Sequence, residues 1–319
     1  MSNLLVIILT FIGGLIVLEI GAEAMVKGAV GISRRVGMSQ MIIGLTVVAF
    51  GTSAPELVVS VIAAIKGSSD LSIGNVVGSN IANIGLIIGV TAIILPIGFN
   101  RSILRLDMPA FFISMAALVI FSIDGVISRW DALVLFSGLI LFIFSTYRTS
   151  SKRGDSIEPE EKTKVPTALS INISATVLGI IGLCVGARLM VNSAVDMARL
   201  FGISVLVIGA TIVAIGTSLP ELATSMIAVM RKQPDIGLGN VIGSNIFNIF
   251  CVLGIAPMIR PLTVNPSLPF HEYPIMIGVS FAFALMLAKR KNKITRIEGV
   301  FLLILFIAFL TWSFLSNHG

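Results

Sequence analysis

The sequence predicts an all-α integral membrane protein of about ten transmembrane helices, arranged as two inverted five-helix repeats. Three observations carry that expectation. Of 319 residues, 56% are hydrophobic and 12% charged. Apolar runs of about 18 or more residues recur from end to end, more apolar surface than a soluble domain can hide. The segment "GTSAPE" at 51–56 returns as "GTSLPE" at 216–221. Lysine and arginine crowd into alternate loops, the asymmetry that sets orientation in a bilayer.

The apolar runs place the first five spans near 4–32, 39–65, 71–96, 108–124 and 130–147. The other five lie near 168–199, 204–230, 236–259, 270–288 and 297–316. The opening run, "MSNLLVIILTFIGG", reads as a retained span. No Lys or Arg precedes Lys27, so the charged start of a secretory leader is missing. Between spans five and six, "RTSSKRGDSIEPEEKTKVPT" mixes both charge signs with Gly and Pro and reads as a solvated linker at 148–167. The first repeat is then 1–147, with its motif at 44–89, and the second 168–319, with its motif at 209–254.

The repeat needs no insertion or deletion. One offset, 165 residues, relates Glu56 to Glu221, Gly14 to Gly179, Gly21 to Gly186, Asn83 to Asn248, Pro96 to Pro261 and Asn100 to Asn265. About half of the positions from Gly44 to Gly89 are identical to their counterparts. Five is an odd number of spans, so the second half enters from the opposite side of the membrane. Inverted repeats of this kind place a substrate site near the midplane, where the halves meet.

The basic residues give the orientation. Loops after spans 1, 3, 5, 7 and 9 hold sixteen Lys and Arg; loops after spans 2, 4, 6 and 8 hold four, Lys66, Arg129, Arg199 and Arg260. Both termini are expected outside, with the central loop cytoplasmic. The net charge of +6 is thus membrane topology and not a nucleic-acid footprint. Cys184 and Cys251 lie in apolar runs and read as small buried hydrophobes. No Ser–His pairing, metal-hydrolase motif or phosphate loop occurs, so no enzyme is expected and no cofactor.

The repeated motif carries the chemistry. Pro55 and Gly51 should break span 2, freeing carbonyls such as those of Ala49 and Thr52; Ala214 and Thr217 repeat this on span 7. Glu56 and Glu221 fall just past the breaks. A carboxylate at bilayer depth costs about 2.5–3.5 kcal/mol, so it marks a functional site by default. No Lys or Arg lies at matching depth in spans 2 or 7 to pair with either. Spans 3 and 8 carry "GNVVGSNIANIG" and "GNVIGSNIFNIF". Gly74 and Gly78, like Gly239 and Gly243, are spaced for close helix packing. Ser79 and Asn83 share a helix face, as do Ser244 and Asn248. Asn75, Asn80, Asn240 and Asn245 point elsewhere and read as bonds to other helices. The donors are all oxygens, which suit hard cations such as Ca²⁺ and Na⁺.

These paired motifs resemble the two α-repeats of the sodium/calcium exchangers in the calcium/cation antiporter superfamily, in the prokaryotic form without a regulatory domain. The resemblance covers nearly the whole chain. It implies a secondary antiporter exchanging Na⁺ for Ca²⁺ by alternating access. Four core helices, spans 2, 3, 7 and 8, would pack in a diamond, with spans 1 and 6 against them as a sliding pair. It carries ion ligands to Ala49, Thr52, Ser53, Glu56, Ser79 and Asn83, and to Ala214, Thr217, Ser218, Glu221, Ser244 and Asn248. Potassium-dependent members have Asp where this chain has Asn248, which argues against potassium co-transport. The expected partners are Ca²⁺, Na⁺ and the lipid bilayer, with the monomer as working unit. Coupling to H⁺ or K⁺, or a cation channel, are the alternatives. A channel usually surrounds its pore with repeated subunits or charge rings, which fits one internal two-fold less well. Three further intramembrane charges have plainer readings. Glu23 and Lys27, four apart, should pair with each other, and Arg188 should sit at a helix end or interface.

Overall fold

A computed structural model describes residues 2–153, 168–200, 214–289 and 292–316. Almost all of it is helix, as an apolar chain demands when its backbone must satisfy itself. The helices are α1 (Ser2–Val36), α2 (Gln40–Thr52), α3 (Ala54–Lys66), α4 (Ser69–Ile94), α5 (Ser102–Phe121) and α6 (Arg129–Arg153). After the linker come α7 (Leu169–Leu200), α8 (Ala214–Thr217), α9 (Leu219–Met230), α10 (Pro234–Ile259), α11 (Glu272–Ala288) and α12 (Arg296–Ser316). The opening of expected span 7 and most of the expected linker lie outside the described residues.

Six helices are long and apolar enough to cross a membrane by length and composition, and the pair α2 and α3, bent by 45°, makes a seventh, broken span. Spans expected near 108–124, 204–230 and 270–288 correspond to the shorter apolar helices Asp107–Phe121, Leu219–Met230 and Glu272–Ala288. Burial sorts centre from rim. The best apolar windows of α4 and α10 are 72% and 83% buried, while that of α1 is 17% buried. The rim helices turn side chains such as Leu5, Ile20, Leu141 and Ile181 outward, as lipid-facing helices do.

Two miniature antiparallel sheets tie loops together. Strand β1 (Ile97–Gly98) pairs with β4 (Lys293–Ile294), and β2 (Val126–Ile127) pairs with β3 (Leu262–Thr263). Each joins one half of the chain to the other. The pairings also test the span parity. Strands can pair only if their loops lie on one side of the membrane. The loops after spans 3 and 9 must then share a side, as must those after spans 4 and 8, and the ten-span reading puts them so.

Helices α1 and α7 run against each other along their glycines. A Cβ on Gly21 would stand 2.9 Å from the carbonyl oxygen of Gly179, and one on Gly186 would stand 2.8 Å from that of Gly14. Any side chain there would push the backbones apart. These are the glycines that the 165-residue offset relates, so the contact is made twice, once from each half. A separate apolar cluster, including Leu18, Ala22, Met25, Val26 and Leu183, joins this pair to Ile43, Val48, Ala223 and Ala228 on the inner helices. The inner helices themselves approach at Gly239 and Gly243, where added Cβ atoms would meet the carbonyls of Met41 and Leu45 at 2.7 and 2.6 Å. Residues 206–210, which the 165-residue offset relates to Met41–Leu45, lie outside the described residues.

Candidate cation site

The helix breaks fall at Ser53 and Ser218. Their backbones, at φ −80°, ψ 4° and φ −90°, ψ 6°, leave the helical range at equivalent points of the two halves. Pro55 and Pro220 sit in the first turn of the helices that restart there, α3 and α9. That is where a missing N–H does least harm and a fixed φ helps. Glu56 and Glu221 occupy the same first turns. A helix N-terminus carries positive potential, which eases the burial of a carboxylate.

One expectation needs correction. Ala49 does not lose its helical bond, because the Ser53 N–H donates to its carbonyl at 3.0 Å. The break comes one residue later than that would require. It is the carbonyl four residues before the proline, that of Gly51, to which Pro55 brings no N–H.

The site residues converge and are buried. Ala49, Thr52, Ser53, Glu56, Ser79 and Asn83 are all buried, as are Ser218, Glu221, Ser244 and Asn248. Thr217 is half-buried, and Ala214 contributes its backbone to α8. Contacts cross between the halves. The Ser53 hydroxyl donates to Glu221 Oε1 at 3.3 Å, and Thr52 Oγ1 lies 3.4 Å from Ser244 Oγ. Glu56 in turn faces the hydroxyls of Thr217 and Ser218. The Asn248 amide donates to Asn80 Oδ1 at 3.1 Å, bringing α10 against α4.

What these atoms lack is as informative. Oε2 of Glu56, Oε2 of Glu221, Oδ1 of Asn248, Oγ of Ser218 and both amide atoms of Asn83 are buried without a hydrogen-bond partner. Leaving such a group unsatisfied costs about 1–3 kcal/mol, more for a charged one. Five of the six are oxygens able to ligate a cation. The clustering of orphaned oxygens around two carboxylates fits a hard cation, and a bound cation would satisfy them together. Among the described residues no group of three or more His, Cys, Asp and Glu side chains could hold a metal ion. The donor set is instead two carboxylates among neutral oxygens. A set this weak in charge suits a cation that must leave again.

Comparison with known proteins decides the family. The model of the family "Sodium/calcium exchanger protein" matches residues 6–148 and again 171–315. The chain belongs to the sodium/calcium exchanger family. The family model fits twice, once on each side of the linker. Curated members align over almost the full length. The sodium/calcium exchanger MaX1 of Methanosarcina acetivorans is 34% identical over 349 residues, covering 98% of each chain. The putative antiporter CaxA of Alkalimonas amylolytica is 37% identical, covering 93% of this chain and 95% of its own. Solved structures of the sodium-calcium exchanger NCX_Mj superimpose with a TM-score of 0.81 at 33% identity, over 95% of this chain and 97% of that one.

Asn75, Asn80 and Asn240 bond other helices, as expected, whereas the Asn245 side chain donates to Val241 O of its own helix at 2.7 Å. Asn75 Nδ2 donates to the backbone carbonyl of Glu56 at 3.2 Å and to Ser60 Oγ at 2.9 Å. Asn240 Nδ2 does the same to Glu221 O at 3.3 Å and Ser225 Oγ at 2.9 Å. Asn80 receives Asn248. The signal was present: Asn75 and Asn240, Ser60 and Ser225, are related by the same offset as the glutamates. The sequence did not announce the three π-helical turns among the described residues, Gly44–Val48, Asn83–Ile88 and Asn248–Val252. The candidate ligands Asn83 and Asn248 each open one of these turns, a distortion that often marks functional sites.

The expected Glu23–Lys27 pair forms, whereas Arg188 lies inside α7 (Leu169–Leu200) and not at its end. Lys27 pairs with Glu23 at 3.0 Å, and Arg231 joins the same carboxylate from the end of α9. Glu19 and Arg188 are exposed. Cys184 and Cys251 are free thiols, and His271 lies against Trp312.

Proposed function

We propose that the protein is a secondary antiporter that exchanges Na⁺ for Ca²⁺ across the membrane by alternating access. The observation that carries this reading is the buried pair Glu56 and Glu221, each just past a helix break, each with one oxygen unsatisfied. Two carboxylates match the charge of one Ca²⁺. Family membership and the likeness to NCX_Mj support it. In this reading Glu56 and Glu221 bind Ca²⁺, with the amide oxygens of Asn83 and Asn248 completing the central position. The Thr52 hydroxyl with the Ala49 carbonyl, and Thr217 with Ala214, form Na⁺ positions on either side, helped by Ser53, Ser79, Ser218 and Ser244.

The halves, 1–147 and 168–319, act as two equivalent gates about one site, joined by the 148–167 linker. Both termini face outward, the linker faces the cytoplasm, and one chain in the bilayer suffices for transport. The test is Ca²⁺ uptake into proteoliposomes under an outward Na⁺, K⁺ or H⁺ gradient, applied in turn. Uptake driven by Na⁺ alone is expected. Uptake driven by H⁺, a K⁺ requirement, or Ca²⁺ leak without a counter-ion would overturn the assignment.

The flanking positions make a separate prediction. Thr52→Val and Thr217→Val keep the side-chain shape and remove one ligand oxygen. Each is expected to raise the Na⁺ concentration for half-maximal exchange about fivefold, on the scale of one neutral hydrogen bond. Ca²⁺ binding should change by less than about twofold. Equal weakening of both ions, measured by isothermal titration and flux, would argue against separate Na⁺ positions.

A further inference from the structure

Asn75 and Asn240 hold the two halves of the site in the same way. In each half one amide crosses from the neighbouring helix, α4 or α10, and clamps the glutamate's own carbonyl and the serine one turn on. Those carbonyls belong to the first turn after the break, the part of the chain whose position sets where the carboxylate can go. Asn240 also accepts: its Oδ1 takes the hydroxyl proton of Thr52 at 3.0 Å.

The orientation of Asn240 is fixed by chemistry. A backbone carbonyl can only accept a hydrogen bond, so the atom facing Glu221 O must be the amide nitrogen. The oxygen must then face Thr52. Thr52 has one proton and four neighbours for it: Asn240 Oδ1 at 3.0 Å, the Ala49 carbonyl at 3.4 Å, Ser244 Oγ at 3.4 Å and the Glu221 carboxylate, which the hydroxyl also faces. Asn240, at the shortest of these distances, takes it. A hydroxyl binds a cation through its oxygen lone pairs, so its proton must be placed elsewhere. Given to Ala49, the proton would also occupy an oxygen wanted by the ion. Given to Asn240, it leaves Thr52 Oγ1 free to face a cation and adds no second hydrogen bond to Ala49 O, which already accepts the Ser53 N–H.

We propose that Asn240 is a positioning residue for Na⁺: it removes the Thr52 hydroxyl proton from the ion's side while anchoring the Glu221 turn. Asn75 anchors the Glu56 turn equivalently. The proposal rests on the reading that Thr52 contributes to a Na⁺ position, and the experiment separates the two.

Half-saturating Na⁺ and Ca²⁺ are measured by flux in proteoliposomes for wild type, Thr52→Val, Asn240→Ala and the double variant. Thr52→Val raises half-saturating Na⁺ about fivefold in wild type. In the Asn240→Ala background the same change is expected to cost less than about twofold, because the hydroxyl there is no longer set for the ion. Asn240→Asp has the same shape and still accepts the proton, so the Thr52→Val penalty returns. Equal Thr52→Val penalties in wild type and Asn240→Ala overturn the proposal. No Thr52→Val effect in wild type overturns the underlying Na⁺ reading instead. If Asn240→Ala does not accumulate in membranes, the Asn240→Asp background decides alone: a penalty retained there supports the proton acceptor, and a penalty lost there refutes it.

Discussion

Glu56→Ala and Glu221→Ala are each expected to abolish Na⁺-driven Ca²⁺ uptake while the protein still inserts and folds. The two carboxylates are the only acidic side chains proposed as ligands, and both are buried. Each supplies half of the charge that a divalent cation needs. Removing one leaves a bound Ca²⁺ with a net positive charge in a region of low dielectric. Breaking a buried ion pair by removing one partner costs about 3–5 kcal/mol, or roughly two to four powers of ten in affinity. Folding should survive, because an unpaired carboxylate at this depth is itself a cost that the substitution removes. Glu56→Gln and Glu221→Gln are the sharper controls. They keep the shape, and in Glu221→Gln the Ser53 contact, but not the charge, so Ca²⁺ binding should fall as far as in the alanine variants. Thermal unfolding in detergent should show little loss of stability, but the stabilisation by added Ca²⁺ should vanish. Wild-type Ca²⁺ flux in any of the four variants would sink the assignment of the carboxylates.

How much of this could be read before the structure depended on what each feature encodes. The membrane class follows from composition alone, since no other environment tolerates so many apolar runs. The two-fold organisation follows from one constant offset, and the mini-sheets add independent support because their pairings demand the same span parity. The break was placed between Gly51 and Pro55 and occurs at Ser53. Ala49 keeps its bond because a break does not undo every hydrogen bond near it. A proline deletes one donor, and the residue before the kink can still close the preceding turn, as Ser53 does. The π-helical turns at Asn83 and Asn248 are set by packing and not by local propensity, so no residue type signals them. The asparagine clamps lay in plain view as repeated positions. Only distances could show that Asn75 and Asn240 grip the glutamate carbonyls, because side-chain direction along a helix face does not say which partner a crossing helix presents.

Exchange is expected to carry one net charge per cycle. The proposed ligands include two carboxylates, while Asn83 and Asn248 are neutral, so the site's charge before loading is −2. With Ca²⁺ bound it is 0. With the central position also taken by Na⁺ in the sodium-loaded state, the two flanking positions bring the load to three Na⁺ and the charge to +1. The difference of one charge crosses the membrane in each cycle, and with an inside-negative potential it favours Ca²⁺ extrusion. One charge moved through 100 mV is worth about 2.3 kcal/mol, which changes the limiting Ca²⁺ gradient about fiftyfold. The arithmetic depends on Asn248. A carboxylate at that position would make the empty site −3 and would invite a further monovalent cation into the cycle. Asn248→Asp is therefore expected to abolish the voltage dependence where the extra cation travels with Ca²⁺ (0 against 0), and to double the charge moved where it travels with Na⁺ (−1 against +1). The measurement is Na⁺-driven Ca²⁺ uptake with the potential clamped by K⁺ and valinomycin at several values. A final gradient that ignores voltage would show electroneutral exchange, two Na⁺ for one Ca²⁺. Na⁺ would then fill the two flanking positions alone, with the central position kept for Ca²⁺, and Thr52→Val and Thr217→Val would both still raise half-saturating Na⁺.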